Sequence, residues 1–133
     1  MNLKDINQKI ILQTSLFGVF MGISTVLGWS QNSQVFLWAF TGILTSIYLY
    51  NNLTHLFFFH CLIIGLSWGV DCSLVQVLFF KTYYLNNPHF VNELHNISSS
   101  SPKITLVALG MSAGLVSGFL IYIPIYILKK IKK

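Results

Sequence analysis

Four long stretches of apolar residues constrain the fold of this chain more than any other feature of its sequence. They cover residues 10–28, 35–50, 56–80 and 104–128. An α-helix of about 20 apolar residues crosses the ~30 Å hydrocarbon core of a membrane, and a backbone in lipid must satisfy its own hydrogen bonds. The sequence therefore predicts an all-α membrane protein, with residues 1–133 forming a single domain, a bundle of four transmembrane helices.

The second stretch is the weakest of the four. It is short unless its helix continues through the uncharged polar flanks at 32–33 and 51–52. A topology with three spans, in which this segment is re-entrant or interfacial, stays open as an alternative.

Composition and charge agree with a membrane protein. Hydrophobic residues make up 54% of the chain and charged residues only 8%, whereas soluble domains carry about 25% charged residues. The net charge of +5 comes from eight lysines and no arginine. Half of the lysines follow the last apolar stretch, as a cytoplasmic stop does, so nucleic-acid binding is not predicted.

The distribution of lysine predicts the orientation. Four spans place both termini on one side, and that side carries six lysines: Lys4, Lys9, Lys129, Lys130, Lys132 and Lys133. The opposite side carries only Lys81 and Lys103. The positive-inside rule then puts both termini in the cytoplasm. The short connections predict that chain neighbours form antiparallel hairpins packed side by side.

The third connection is long enough to hold an element of its own. Asn87 and Pro88 resemble a helix cap and a first helical residue, and Phe90, Leu94 and Ile97 recur at helical spacing. We expect a short interfacial helix there, followed by a flexible return through residues 98–101. An ordered loop without membrane contact is the alternative.

Glycine recurs at four-residue spacing in three of the stretches. Small residues on one face let helices in lipid approach closely, so these positions predict helix packing. A seam between copies of the chain is the alternative. The residues are Gly18 and Gly22 in the first stretch, Gly65 and Gly69 in the third, and Gly110, Gly114 and Gly118 in the fourth.

Asp71 is the one acidic residue inside an apolar stretch. Its insertion costs ~2.5–3.5 kcal/mol, so a functional role is the default hypothesis. It shares a helix face with Ser67 and His60, and we predict that these three residues form an intramembrane polar site. Three roles stay open for Asp71: a neutral contact to a neighbouring helix, the docking of a partner, or a proton or cation pathway.

No motif for catalysis or metal binding is present. Three acidic residues in the whole chain leave little material for acid–base chemistry, and His55 and His60 are five residues apart, which turns them away from each other on a helix. We therefore predict a non-enzymatic protein with no cofactor and no metal ligands.

The second half of the chain has several features in a recognisable order. A third span that contains Gly65 continues into aromatic residues and is followed by the pair Asn87 and Pro88, a short polar stretch, the glycine-spaced fourth span and a lysine tail. The aromatic residues are Phe79, Phe80, Tyr83 and Tyr84. In this order the features resemble a family of small four-span bacterial membrane proteins of unknown function. The resemblance implies a four-span fold in a bacterial inner membrane, with no activity and no site residues.

The sequence thus predicts a structural or accessory component of a larger membrane assembly. Its partners would be the lipid bilayer and another membrane protein or a second copy of the chain. The rival hypothesis is a small homo-oligomeric transporter or channel coupled to protons or cations through Asp71. A membrane-embedded enzyme is a third, weaker alternative.

Overall fold

The computed structural model describes residues 6–30, 33–97 and 101–131, and within these ranges the protein contains helices and no strands. The all-α prediction is therefore confirmed for these ranges. Lys4, Lys132 and Lys133, and residues 98–100 of the predicted flexible return, lie outside them. The helices are α1 (Gln8–Val26), α2 (Gln34–Asn52), α3 (Phe57–Leu78), α4 (Phe80–Asn86), α5 (Pro88–Ile97) and α6 (Pro102–Ile131).

Three of the described helices, α1, α3 and α6, are long and apolar enough to cross a membrane. Helix α2 has 19 residues, as α1 has, but it is not among these three. The length and apolar composition of these three helices confirm the prediction that the chain contains helices able to span a membrane.

Helix α3 lies between α1 and α6 and is parallel to α1. The indole Nε1 of Trp68 donates a hydrogen bond to the carbonyl of Thr14 over 2.7 Å. Further along both helices, the side-chain nitrogen of Gln76 donates to the hydroxyl of Thr25 over 2.9 Å. Because the two contacts follow the same order on both helices, α1 and α3 run in the same direction.

Helix α6 returns antiparallel to α3. Gly114 lies against Gly65, whereas the earlier residue Gly110 lies against the later residue Gly69. The contact between α3 and α6 is the most extensive in the protein, and the contact between α1 and α3 is the next.

Helix α2 packs against α6 and reaches α1 and α3 through aromatic side chains. Its Trp38 ring meets the Phe17 ring at a centroid distance of 5.9 Å, and its Tyr48 hydroxyl donates to Gln13 over 3.2 Å. These contacts follow opposite orders on the two helices, so α2 is antiparallel to α1. The long helices therefore alternate in direction along the chain.

Side-by-side packing was predicted for the two hairpins with short connections, α1 with α2 and α2 with α3, and this prediction is wrong for both. Helix α2 makes few close backbone contacts with α1 or α3, and its closest long neighbour is α6. The physical reason is side-chain size. Helices α1, α3 and α6 meet through glycines, whereas α2 carries Phe36, Trp38, Phe40, Tyr48 and Tyr50 and one glycine.

The buried apolar side chains form two clusters at opposite ends of the bundle. The first joins all four long helices and contains Ile10, Leu49, Phe57, Cys61, Ile64, Trp68, Ile121 and Ile125. The second joins the far end of α1 to the third connection and α6, and contains Val26, Tyr83, Val91, Leu94 and Leu106. Helix α2 contributes to the first cluster and not to the second.

The third connection contains two short helices, of which the sequence predicted one. Helix α5 begins at Pro88, and its buried residues are Val91 and Leu94. The three residues predicted to share one apolar side differ in burial, because Leu94 is buried whereas Phe90 and Ile97 are exposed. Helix α5 turns its Val91 side to the bundle, where Tyr83 and Leu106 complete the packing, and this contact decides which face is covered.

Candidate functional site

The glycines of α3 and α6 lie where the two backbones touch. A Cβ atom added to Gly114 would lie 2.6 Å from the carbonyl oxygen of Gly65, and one added to Gly118 would lie 2.9 Å from the Leu62 Cα. A Cβ on Gly69 would overlap the carbonyl oxygen of Gly110. Real Cβ atoms do not approach other atoms so closely, so only glycine fits this backbone contact.

Gly18 and Gly22 occupy the contact between α1 and α3. A Cβ on Gly18 would lie 2.7 Å from the Trp68 Cα, and one on Gly22 would lie 2.7 Å from the Val75 Cβ. All seven glycines singled out in the sequence therefore face helices of the same chain, and none of them is free to form a seam with a second copy.

Asp71 lies on the outer flank of the contact between α1 and α3. Its Cβ is 3.1 Å from the position that a Cβ on Gly18 would take, and its side chain is only half-buried. No hydrogen bond and no ion pair joins its carboxylate to any residue in the described ranges. The carboxylate is therefore held at the surface of the bundle without a partner from the described chain.

Ser67 shares this flank but is bonded within its own helix, because its hydroxyl donates to the carbonyl of Ile63 over 2.9 Å. His60 lies eleven residues before Asp71, about 16 Å away along the helix axis. The structure thus places Asp71 and Ser67 near each other and separates His60 from both.

His60 is fully buried and ties the start of α1 to α3. Its Nε2 accepts a hydrogen bond from the backbone N–H of Asn7 over 3.0 Å, so its Nδ1 carries the proton and donates to the carbonyl of Leu56 at 2.9 Å. Leu56 has a φ of 55°, which a bulky side chain rarely adopts. The neutral imidazole therefore fixes the turn before α3 and the N-terminus of α1, a structural role that the helical face alone did not indicate.

A second group of polar residues lies at the opposite end of the bundle and was not predicted as a site. Gln76 donates to the hydroxyl of Thr25, whose carbonyl accepts a bond from the Asn87 side chain over 2.8 Å. Asn86 donates to the carbonyl of Val26, also over 2.8 Å. These bonds satisfy the last carbonyls of α1. Polar residues at the ends of two apolar stretches, followed by adjacent asparagines, are the sequence feature that could have indicated this network.

A cleft of about 600 Å³ opens beside this network, between α2, α3, α5 and α6. The buried residue Tyr83 is on its wall, and burial raises the pKa of the Tyr83 hydroxyl above its ordinary value. Six further polar side chains line the cleft: Thr25, Gln34, Ser73, Gln76, Asn87 and His89.

An apolar groove of about 590 Å³ continues from this cleft between α2 and α6. Gln34, Trp38 and Ala113 line both spaces. The indole N–H of Trp38 is buried and has no hydrogen-bond partner in the described ranges. The remaining walls of the groove are largely aliphatic and include Val35, Ala39, Ile43, Val116, Leu120 and Ile121.

Comparison of the chain with protein-family models, with curated proteins and with solved structures gives no significant match. The resemblance to small four-span bacterial membrane proteins therefore stays a hypothesis, and it adds no residue to the geometry described above.

Proposed function

We propose that the chain is a four-span, non-enzymatic membrane protein that serves as a structural or accessory component of a larger assembly. Its docking surface is the outer flank of α1 and α3 around Asp71. The observation that carries this proposal is the half-buried Asp71 carboxylate, which has no partner in the described part of its own chain.

The outward side of α2 supports the fourth span. Its 19 residues rise about 28 Å, close to the ~30 Å hydrocarbon core. Its polar residues Thr45 and Ser46 are buried, whereas the side turned away from the bundle is apolar. Four large apolar side chains are exposed there: Phe36, Phe40, Leu44 and Ile47.

The lysines at the two ends of the bundle support cytoplasmic termini. The Lys129 ammonium lies 3.8 Å from the centroid of the Phe57 ring, and Phe57 packs with Ile10, the residue after Lys9. The Lys103 ammonium lies near the Phe80 ring at the opposite end. An alkaline phosphatase fused to the C-terminus should be inactive and a fluorescent protein should glow; the reverse result would overturn this topology.

The energetics of Asp71 favour a partner. Burying a carboxylate in a membrane costs ~2.5–3.5 kcal/mol, and an interhelical hydrogen bond returns roughly 0.6–2 kcal/mol. Leu74 and Val19 are exposed on either side of Asp71 on the two helices, and the hydroxyl of Ser67 lies one turn away. A transmembrane helix that brings a donor or a basic group to Asp71 would cover this flank with apolar contacts.

The position of Asp71 also allows the second candidate function, a homo-oligomeric transporter for protons or cations. A carboxylate on the outer flank can line a pathway only where several copies meet. In that case Asp71→Asn should fold and assemble normally but abolish a pH-dependent ion flux in liposomes.

The same substitution tests the docking proposal. Asp71→Asn keeps the size and a hydrogen-bonding group, so the mass of the complex purified in mild detergent should be unchanged. Asp71→Leu should reduce that mass to that of the free chain. Ser112→Leu, which changes an exposed polar residue on α6, is the matched control and should retain the complex. A complex that survives Asp71→Leu would contradict docking at this flank.

A further inference from the structure

We propose that the polar cleft and the apolar groove beside α2 form one binding site for an uncharged amphiphile. Its ligand is a lipid with a hydroxyl-bearing headgroup and a single hydrocarbon chain, of the monoacylglycerol type. The headgroup occupies the cleft between α3 and α5, and the chain lies between α2 and α6.

The two spaces adjoin each other and share three wall residues, which fits one ligand with two chemically different parts. Gln34, Trp38 and Ala113 line both the cleft and the groove. Each space has a volume within the ~300–1,000 Å³ typical of small-molecule sites. Polar groups concentrate in the cleft, and the groove beyond Trp38 has mainly aliphatic walls.

The length of the groove matches one leaflet. From Gln34 to Ile43 the α2 side of the groove rises about 13.5 Å, and from Ala113 to Ile121 the α6 side rises about 12 Å. Both distances are shorter than half of the ~30 Å hydrocarbon core. A lipid with its headgroup at the α5 end would therefore reach the groove from the leaflet on that side.

The charge of the cleft selects an uncharged headgroup. The hydroxyls of Thr25 and Ser73 and the amide nitrogens of Gln76 and Asn87 are bonded within the protein, which leaves the two amide oxygens as acceptors for a headgroup hydroxyl. No lysine is among the described residues that line the cleft. An anionic headgroup would lose solvation there with no cation to compensate. His89 is on the rim, with its Nδ1 3.5 Å from the carboxylate of Glu93, and it is highly exposed.

Trp38 supplies the most specific contact. Its indole N–H is a buried donor without a partner in the described ranges, at the junction of cleft and groove. A buried donor without an acceptor is costly. The ester oxygen of a monoacylglycerol lies between headgroup and chain, and it accepts from this N–H once the indole ring shifts, because the nitrogen is closed to solvent in this structure.

The two-part shape of the site also favours a lipid over a partner helix as its occupant. The cleft accommodates a polar group, and the groove accommodates a flexible chain. The large side chains on the outward side of α2 leave the entrance of the groove open to lipid. The Asp71 flank lies on α1 and α3, away from this groove, so the inference does not depend on the proposed docking surface.

The site can be tested with a photoactivatable monoacylglycerol. The probe carries a diazirine in its hydrocarbon chain, and the full-length protein is placed in phosphatidylcholine nanodiscs. We expect cross-links in the segments 35–43 and 113–120. Ala113→Phe, which fills the junction, should lower labelling about tenfold, a loss equivalent to ~1.4 kcal/mol. Ala108→Phe, an exposed alanine on α6 outside both spaces, should leave labelling unchanged.

A second variant and a competition complete the test. Trp38→Phe keeps an aromatic ring but removes the N–H, and it should also lower labelling. Unlabelled monoacylglycerol should displace the probe, whereas anionic phosphatidylglycerol should not. Cross-links spread evenly over all exposed apolar surfaces, equal displacement by both lipids, or labelling unaffected by both variants would overturn the proposal. Asp71→Leu should leave labelling unchanged, so the result of this experiment does not depend on whether the docking proposal is correct.

Discussion

Helix α6 has two sides that are packed in different ways. Towards α3, Gly110, Gly114 and Gly118 bring the backbones into direct contact. Towards α2, the Ser46 hydroxyl shares its proton between the carbonyl of Ile121 and the carbonyl of Gly42 in its own helix, each at 2.7 Å, and the rest of that side opens into the groove. The difference shows that glycine position, more than apolar content, decides which helices of this bundle are closely joined.

The largest effect is expected from Gly114→Leu, on the side towards α3. The added side chain would have to displace the backbone at Gly65, so the cost should exceed the ~1–3 kcal/mol of ordinary overpacking. Accumulation in the membrane and SDS-induced unfolding in mixed micelles would measure the loss. Leu120→Ile, an exposed change on the same helix, is the control. Normal accumulation of the leucine variant would show that the two backbones can separate at no cost.

Trp68 and Trp38, whose rings pack against each other at a centroid distance of 5.7 Å, should respond differently to the same substitution. Trp68 is buried and donates to the carbonyl of Thr14, so Trp68→Phe removes a bond and buried volume. We expect a loss of about 1–3 kcal/mol in the free energy of unfolding. Trp38→Phe removes an N–H that has no partner in the described ranges and should change stability little. Equal losses for the two variants would contradict the stabilising role of the Trp68 hydrogen bond.

A smaller effect is expected from Ser46→Ala, which removes the hydrogen bond between α2 and α6. Such bonds contribute about 0.6–2 kcal/mol in membranes. Ser112→Ala is the matched control, because the Ser112 hydroxyl bonds within its own helix, to Ala108. Hydrogen exchange of the α2 amides should increase in the first variant only. Unchanged exchange would mean that α2 is held by its apolar contacts alone.

The sequence predicted the helices well because long apolar stretches leave a backbone in lipid few alternatives. It did not predict which helices pair. A glycine at four-residue spacing marks a face that accepts a close neighbour, but the same spacing on α1, α3 and α6 fits several pairings. The bulky side chains of α2 explain its outer position only after the other three helices have been placed.

The candidate sites were predicted less completely. Asp71 could be recognised as unusual from its residue type, but its outward position depends on the rotation of α3 against α1. His60 shares its helical face and is covered by the backbone of Asn7, a contact between residues far apart in the sequence. The cleft forms where α2, α5 and α6 meet, and no single segment contains the residues that line it.

One pair of substitutions tests the central claim that glycine contacts on α3 close one side of α6 and leave the other open. Gly69→Ala adds a Cβ that overlaps the carbonyl of Gly110, whereas the Cβ of Gly42→Ala would lie 3.7 Å from its nearest neighbour, Ile121 Cγ1. The chemical change is identical, and helix propensity favours alanine by up to ~1 kcal/mol in both. In SDS-induced unfolding, Gly69→Ala should be clearly less stable than the parent, and Gly42→Ala equally or more stable. Equal stabilities of the two variants, or a larger loss at Gly42, would contradict the claim.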